Sequence, residues 1–175
     1  MRRIPLFAVA LCVLAIAAVP AAAIPPTQVT VEQHNVLTDP DACGDYGVTW
    51  DINLTAHITT FFDQEGRRIR QQVRITEDNT VTNTVTGLTL RDGPVNFTQT
   101  TTFNPETQQR ELIFISGVSV NVRRGTEHLI DVGHVVIDGQ TGRILQSSGP
   151  HPLRELLDGS FDISLALPGF CDILR

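Results

Sequence analysis

The sequence contains no lysine, and its only methionine is Met1. All 13 basic residues are therefore arginines, which excludes mechanisms that need a lysine amine, such as a Schiff base, a P-loop or a Ser–Lys dyad. The G-x-S-x-G nucleophile motif and the C-x-x-C pair are also absent. Hydrophobic residues make up 41% of the chain, which argues against intrinsic disorder.

The long hydrophobic run of the sequence lies at its N-terminus. Arg2 and Arg3 precede an apolar stretch at positions 6–19, and three alanines follow at positions 21–23. This pattern predicts a secretory signal peptide over residues 1–23. The run is shorter than the ~20 residues of a transmembrane helix, and no second run follows. We therefore expect a secreted protein with no stable membrane insertion after the signal is removed.

Removing the signal makes the chain more acidic. Without Arg2 and Arg3, 11 basic residues stand against 19 acidic ones, so the net charge falls from −6 to −8. An acidic surface without lysine repels phosphate backbones, which argues against nucleic acid as a partner.

The cysteines predict a disulfide. Cys12 lies in the signal, so the mature chain keeps Cys43 and Cys171. An even pair in an exported chain favours a disulfide, since neither cysteine lies in a C-x-x-C pair or next to a histidine. The histidines His128 and His134 lack a third partner at metal-ligand spacing, and we expect neither a metal nor a cofactor.

The mature sequence is rich in Thr, Val and Ile and alternates with the period of a strand. Residues 48–62 carry apolar side chains at nearly every even position and polar ones at most odd positions, which indicates an antiparallel sheet with one buried face. A break near Asp92-Gly93-Pro94 predicts a bulge or an edge kink. The expected strands cover residues 29–36, 48–62, 67–82, 88–103, 111–123, 129–137, 143–148 and 160–167.

These strands follow one another through short turns, such as those at residues 63–66 and 138–142. We therefore predict an all-β fold with a single domain over residues 24–175, an antiparallel up-and-down β-barrel of about eight strands. A β-sandwich is the alternative. Residues 153–157 are expected to form one helical turn.

Three segments carry a resemblance. They are Ala42-Cys43-Gly44 before a long strand, the turn segment 59–66, and the segment 138–142 followed by Ser148-Gly149-Pro150-His151. Together they resemble an uncharacterised group of small secreted β-rich actinobacterial proteins. The resemblance implies an exported β-rich fold and transfers no catalytic residue.

Two residues are weak candidates for acid–base catalysis. Asp131 lies in the 129–137 strand, whose faces are both largely apolar, so the sequence leaves the inward face undecided. If the odd positions point inward, Asp131 is a buried carboxylate that must be paired or protonated. If the even positions do, His128 and His134 point inward. His151 lies in a Gly-Pro-His-Pro loop, a place where function often resides.

The leading hypothesis is a binding protein whose ligand is a small apolar molecule or a cell-envelope partner. An eight-stranded barrel is either filled or just able to hold one small ligand. The expected lining residues are Trp50, Phe62, Phe114 and His134. The alternatives are a cyclase- or isomerase-like barrel enzyme and a structural cell-surface protein with a packed interior.

Two polar features of the sequence are expected to be solvated surface. His57 lies on the polar face of the 48–62 strand. Arg68, Arg70 and Arg74 share one face of the following strand, where they could attract an anion or an acidic partner. We expect instead that acids of neighbouring strands pair with them.

Overall fold

The computed structural model describes residues 24–150 and 167–175 of the chain. Seven strands form one antiparallel sheet, in which every strand pairs with its neighbours in sequence. The elements in chain order are β1 (Thr27–Asp39), β2 (Val48–Phe62), β3 (Arg68–Asn83), β4 (Thr89–Phe103), β5 (Arg110–Arg124), β6 (Glu127–Asp138), β7 (Ile144–Ser148) and α1 (Leu167–Leu174). The all-β class and the sequential antiparallel order are as predicted.

Tight turns with side-chain hydrogen bonds join these strands. In the β6–β7 turn, the Asp138 carboxylate accepts hydrogen bonds from the backbone N–H groups of Thr141, at 2.7 Å, and Gln140, at 3.0 Å. These hydrogen bonds lower the pKa of Asp138, and the one from the Thr141 backbone contributes most. The predicted bulge is confirmed, because the β3–β4 register shifts between Glu77 and Asn79, opposite the Asp92–Val95 segment.

The predicted closed barrel is wrong for the described residues, which form an open sheet. Closure needs the first and last strands to pair, but β1 pairs with β2 alone and β7 with β6 alone. The two edges are also unequal, since β1 has 13 residues and β7 has 5. The described residues contain seven strands, and the eighth expected strand, at 160–167, lies outside them except for Leu167, which begins α1.

The helix α1 lies where the sequence analysis predicted no helix. Its buried residues Phe170, Ile173 and Leu174 pack on the sheet with core residues of β2, β3 and β5. The predicted disulfide between Cys43 and Cys171 is confirmed, with a Cα–Cα distance of 5.5 Å, and it ties α1 to the β1–β2 connection. The Tyr46 hydroxyl donates to the carbonyl of Cys171. This contact and the disulfide explain why so short a helix forms here.

The strand register defines two faces of the sheet, because directly opposed residues share a face. The apolar face is the side on which α1 packs, and it carries Val48, Val81 and Val122, all fully buried. The polar face is the opposite side.

Several predictions fall on residues outside the described ranges. They are the signal peptide at 1–23, the helical turn at 153–157 and His151. Within residues 24–150 and 167–175, no helix has the length and hydropathy needed to cross a membrane.

Candidate functional site on the polar face

A row of polar side chains crosses all seven strands on the polar face. Each member is directly opposed to the next in the strand register. No carboxylate interrupts it. From β1 to β7 the row is Thr30, His57, Arg74, Thr98, Ser116, His134 and Ser148.

Hydrogen bonds hold the two histidines of this row. His57 Nδ1 lies 3.0 Å from the Thr30 hydroxyl, and His134 Nδ1 lies 2.7 Å from the Ser116 hydroxyl. The His134 ring also stacks on Phe114, with ring centroids 6.3 Å apart. Both Nδ1 atoms are therefore engaged within the row, which orients the two rings.

An open groove of about 490 Å³ lies at the β1 end of this row. Strands β1, β2 and β3 form it, and we call it the β1–β3 groove. Polar side chains dominate its lining, and Phe61 adds an aromatic ring. The lining includes Gln28, Thr30, His57, Phe61, Gln72 and Arg74.

Two arginines lie at this groove without an acidic partner among the described residues. Within the described residues, Arg74 forms no ion pair, and Arg70 lies over the Phe61 ring at 4.0 Å from its centroid. By contrast, Arg91 pairs with Asp78, with 2.6 Å between Nε and Oδ1. The expectation that neighbouring acids pair with Arg70 and Arg74 is therefore wrong for the described part of the chain.

Arg68 does not belong to this groove. Its guanidinium carbon lies 3.7 Å above the centre of the Phe103 ring, near the far end of β4. The arginine stripe seen in the sequence is thus divided, and Arg74 is the member that meets His57, its directly opposed partner on β2.

The apolar face holds a second polar group, which is buried. Asp131 is 6% exposed, and its Oδ1 accepts a hydrogen bond from the Ser119 hydroxyl at 2.6 Å. The odd positions of the 129–137 strand thus share the apolar face with α1, which was the first of the two arrangements left open. The even positions, with His128 and His134, lie on the polar face, and His128 Nε2 lies 2.9 Å from Asn121 Oδ1.

Asp92 on β4 is the other buried carboxyl group of the apolar face. It is 6% exposed, and burial raises its pKa to about 6. The charge of Glu77 acts in the same direction. The backbone N–H of Asn121, which donates to Asp92 Oδ1 at 2.8 Å, and the amide of Asn79 oppose the shift. Nothing in the sequence singled out Asp92 except its place beside the bulge.

The four expected lining residues do not share one surface. Trp50 lies on the apolar face and packs against the core under α1, whereas Phe62 ends β2 at the opposite end of the sheet. Phe114 and His134 lie together on the polar face. Their role in ligand binding stays a prediction.

Within residues 24–150 and 167–175, no group of three or more His, Cys, Asp or Glu side chains is arranged to hold a metal ion. No protein-family model matches the chain, and no curated protein or solved structure is significantly similar to it. Function is therefore argued from the site itself.

Proposed function

We propose that this chain is an exported binding protein that recognises an acidic, hydroxyl-rich polysaccharide of the cell envelope through the β1–β3 groove. The observation that carries the proposal is the meeting of Arg74 and His57 in one open groove, at the end of a row without carboxylates. The signal peptide predicted at 1–23 and the Cys43–Cys171 disulfide support export.

The charge of the groove supports an anionic group. Without the predicted signal the chain has a net charge of −8, and Arg74, with which no described acid pairs, places a positive charge in the groove. A guanidinium presents a planar fork of donors that matches a carboxylate or a phosphate. Glu32, the acid on the neighbouring row of the polar face, is opposed to Thr55 and not to Arg74.

The other lining groups support a hydroxyl-rich chain around that anion. Gln28 and Gln72 each offer both donors and acceptors, and Thr30 offers a hydroxyl. The row of Thr and Ser side chains continues from the groove toward β7, so an extended ligand would meet further hydroxyl groups. Phe61 gives an apolar surface on which a ring can lie.

Binding to alginate, measured by isothermal titration calorimetry at 50 and 500 mM NaCl, tests the proposal, with neutral dextran as the reference. We expect Arg74→Gln to weaken alginate binding about tenfold or more, because it removes a charge-assisted hydrogen bond. The matched control is Arg123→Gln, which removes one exposed arginine from the polar face at the end opposed to His128. Equal binding by both variants, or equal binding of dextran, would reject the proposal.

An enzyme is the second candidate, favoured by one observation on the apolar face. Asp92, whose pKa burial raises to about 6, and the Asp131–Ser119 pair give two buried carboxyl groups on an apolar surface, as a cyclase- or isomerase-like site requires. Native mass spectrometry of protein purified from its own culture distinguishes the two. A co-purified apolar molecule lost in Asp131→Asn would favour the enzyme or a small-ligand carrier.

A further inference from the structure

The outer edge of β1 is a long surface of unpaired backbone. β1 pairs with β2 along all 13 residues and, within the described part of the chain, with no other strand. It is exposed on both faces at almost every position. Val29, Val36 and Leu37 are apolar and yet 57%, 57% and 54% exposed.

Within the described residues, this edge has little of the usual protection against strand pairing. Proteins blunt a sheet edge with proline, charged side chains (lysine above all), a bulge or a very short strand. β1 contains no proline, glycine or lysine, and its register with β2 runs without a shift from Thr27 to Asp39. The opposite edge is protected in this way, because β7 has only 5 residues.

We propose that the edge of β1 is covered by β1 of a second copy of this chain. The two strands pair antiparallel about a two-fold axis at Gln33, the central residue of β1. The result is a continuous sheet of fourteen strands, since each copy supplies seven.

The sequence of β1 fits itself in this register. A two-fold axis perpendicular to the sheet keeps the two faces continuous and opposes residues of equal parity. With the axis at Gln33, Val29 is opposed to Leu37 of the partner subunit, which buries two exposed apolar side chains together. On the polar face, Glu32 is opposed to His34 of the partner subunit, whose Nε2 lies 2.7 Å from Asp51 Oδ1 of its own chain. Glu32 therefore meets an imidazole ring and not a second carboxylate.

Neighbouring registers lose these matches. Moving the axis by one residue places either Glu32 opposite the partner's Glu32, where like charges are unfavourable, or His34 opposite the partner's His34, which separates His34 from Glu32. It also sets Val29 opposite a polar residue, Asn35 or Asp39 of the partner subunit. The register centred on Gln33 is the one that satisfies both faces.

The pairing also changes the β1–β3 groove, which Gln28 and Thr30 border on the β1 side. In the dimer Thr30 is opposed to Val36 of the partner subunit, so the partner strand extends the floor of the groove. Two grooves then lie on the same polar face, one on each side of the axis.

Cysteine crosslinking of the full mature chain tests the register. In Gln33→Cys the two introduced thiols face each other across an antiparallel pair, at a Cα separation that a disulfide accepts. We expect this variant to form a covalent dimer on mild oxidation, with the native Cys43–Cys171 bond kept, as checked by peptide mapping. Gln28→Cys is the matched control, because Gln28 is opposed to Thr38 of the partner subunit and stays uncrosslinked. A mixture of the Gln28→Cys and Thr38→Cys variants regains the crosslink.

Light scattering after gel filtration measures the assembly without a crosslink or a ligand. We expect twice the monomer mass for the wild type and the monomer mass for Val29→Asp/Leu37→Asp. A monomeric wild type at 100 μM, as would follow if residues 151–166 or a foreign peptide covered the edge, overturns the proposal. So does a crosslink through Gln28→Cys alone. Neither result depends on polysaccharide binding.

Discussion

Two serines on β5 show how differently the two faces of one sheet are built. Ser119 lies on the apolar face and donates a 2.6 Å hydrogen bond to the buried carboxylate of Asp131. Ser116, three residues earlier, lies on the polar face, where its exposed hydroxyl meets His134 Nδ1 at 2.7 Å. The two bonds are equally short, but burial makes a lost partner costly on one face and cheap on the other. The buried contacts that stabilise the fold lie on the apolar face, so the side chains of the polar face are available to bind a ligand.

The largest expected effect breaks the attachment of α1 to the apolar face. Replacing both cysteines, as in Cys43→Ala/Cys171→Ala, opens a loop spanning 128 residues and is expected to cost about 4 kcal/mol of unfolding free energy. Urea unfolding followed by Trp50 fluorescence measures this, because Trp50 packs under α1. Reduced wild type serves as the control. If the Ala variant had the same urea midpoint as the oxidised wild type, the disulfide would add little to the stability of the fold.

A smaller effect concerns the buried charge on the apolar face. The folded pKa of Asp92 is raised from 3.8 to about 6, so the protonated form is favoured in the folded state. The unfolding free energy that protonated Asp92 contributes is fully present below about pH 4 and is lost as the pH rises through 6. By pH 8 the wild type is expected to lose about 3 kcal/mol relative to Asp92→Asn, which does not titrate.

Urea unfolding of both proteins at pH 4, 6 and 8 measures that difference. The Asn variant keeps an oxygen for the Asn121 backbone N–H, so its packing is conserved. A stability difference that stays constant with pH would contradict the proposed cause.

The smallest effect compares the two serines directly. Ser119→Ala is expected to cost about 1–3 kcal/mol, since it removes a hydrogen bond to a buried carboxylate. Ser116→Ala is expected to change stability by no more than about 0.5 kcal/mol, as for other surface substitutions. If the two variants lost equal unfolding free energy in urea, the proposed difference between the two faces would be wrong.

The local parts of this fold could be predicted from the sequence. The period of two gave β2 its bounds at Val48 and Phe62, and glycine and aspartate marked the turns. Closure of the sheet could not be predicted, because it depends on whether strands far apart in sequence meet. The helix α1 was missed because it is short and begins with a leucine and a proline, and the disulfide and buried contacts stabilise it.

The groove was missed for a related reason. His57 and Arg74 each looked solvated when their strands were considered separately. A signal was present, since the two residues stand eight positions on either side of the Glu65-Gly66 turn and are therefore opposed in the hairpin. The same symmetry about Gly125 brings Ser116 to His134. Pairing residues across these two turns would have found the two contacts, whereas the register of the β3–β4, β4–β5 and β6–β7 hairpins is not symmetric about the predicted turns.

The position of the disulfide also has a mechanical consequence. Cys43 and Cys171 enclose six of the seven strands in one covalent loop and leave only β1 outside it. A force that pulls on the two ends of the oxidised chain can therefore extend little besides residues 24–42, about 60 Å of chain at full stretch. The disulfide would keep the six enclosed strands from being extended. The strand whose free edge we assign to a second subunit is thus the one strand that tension can remove.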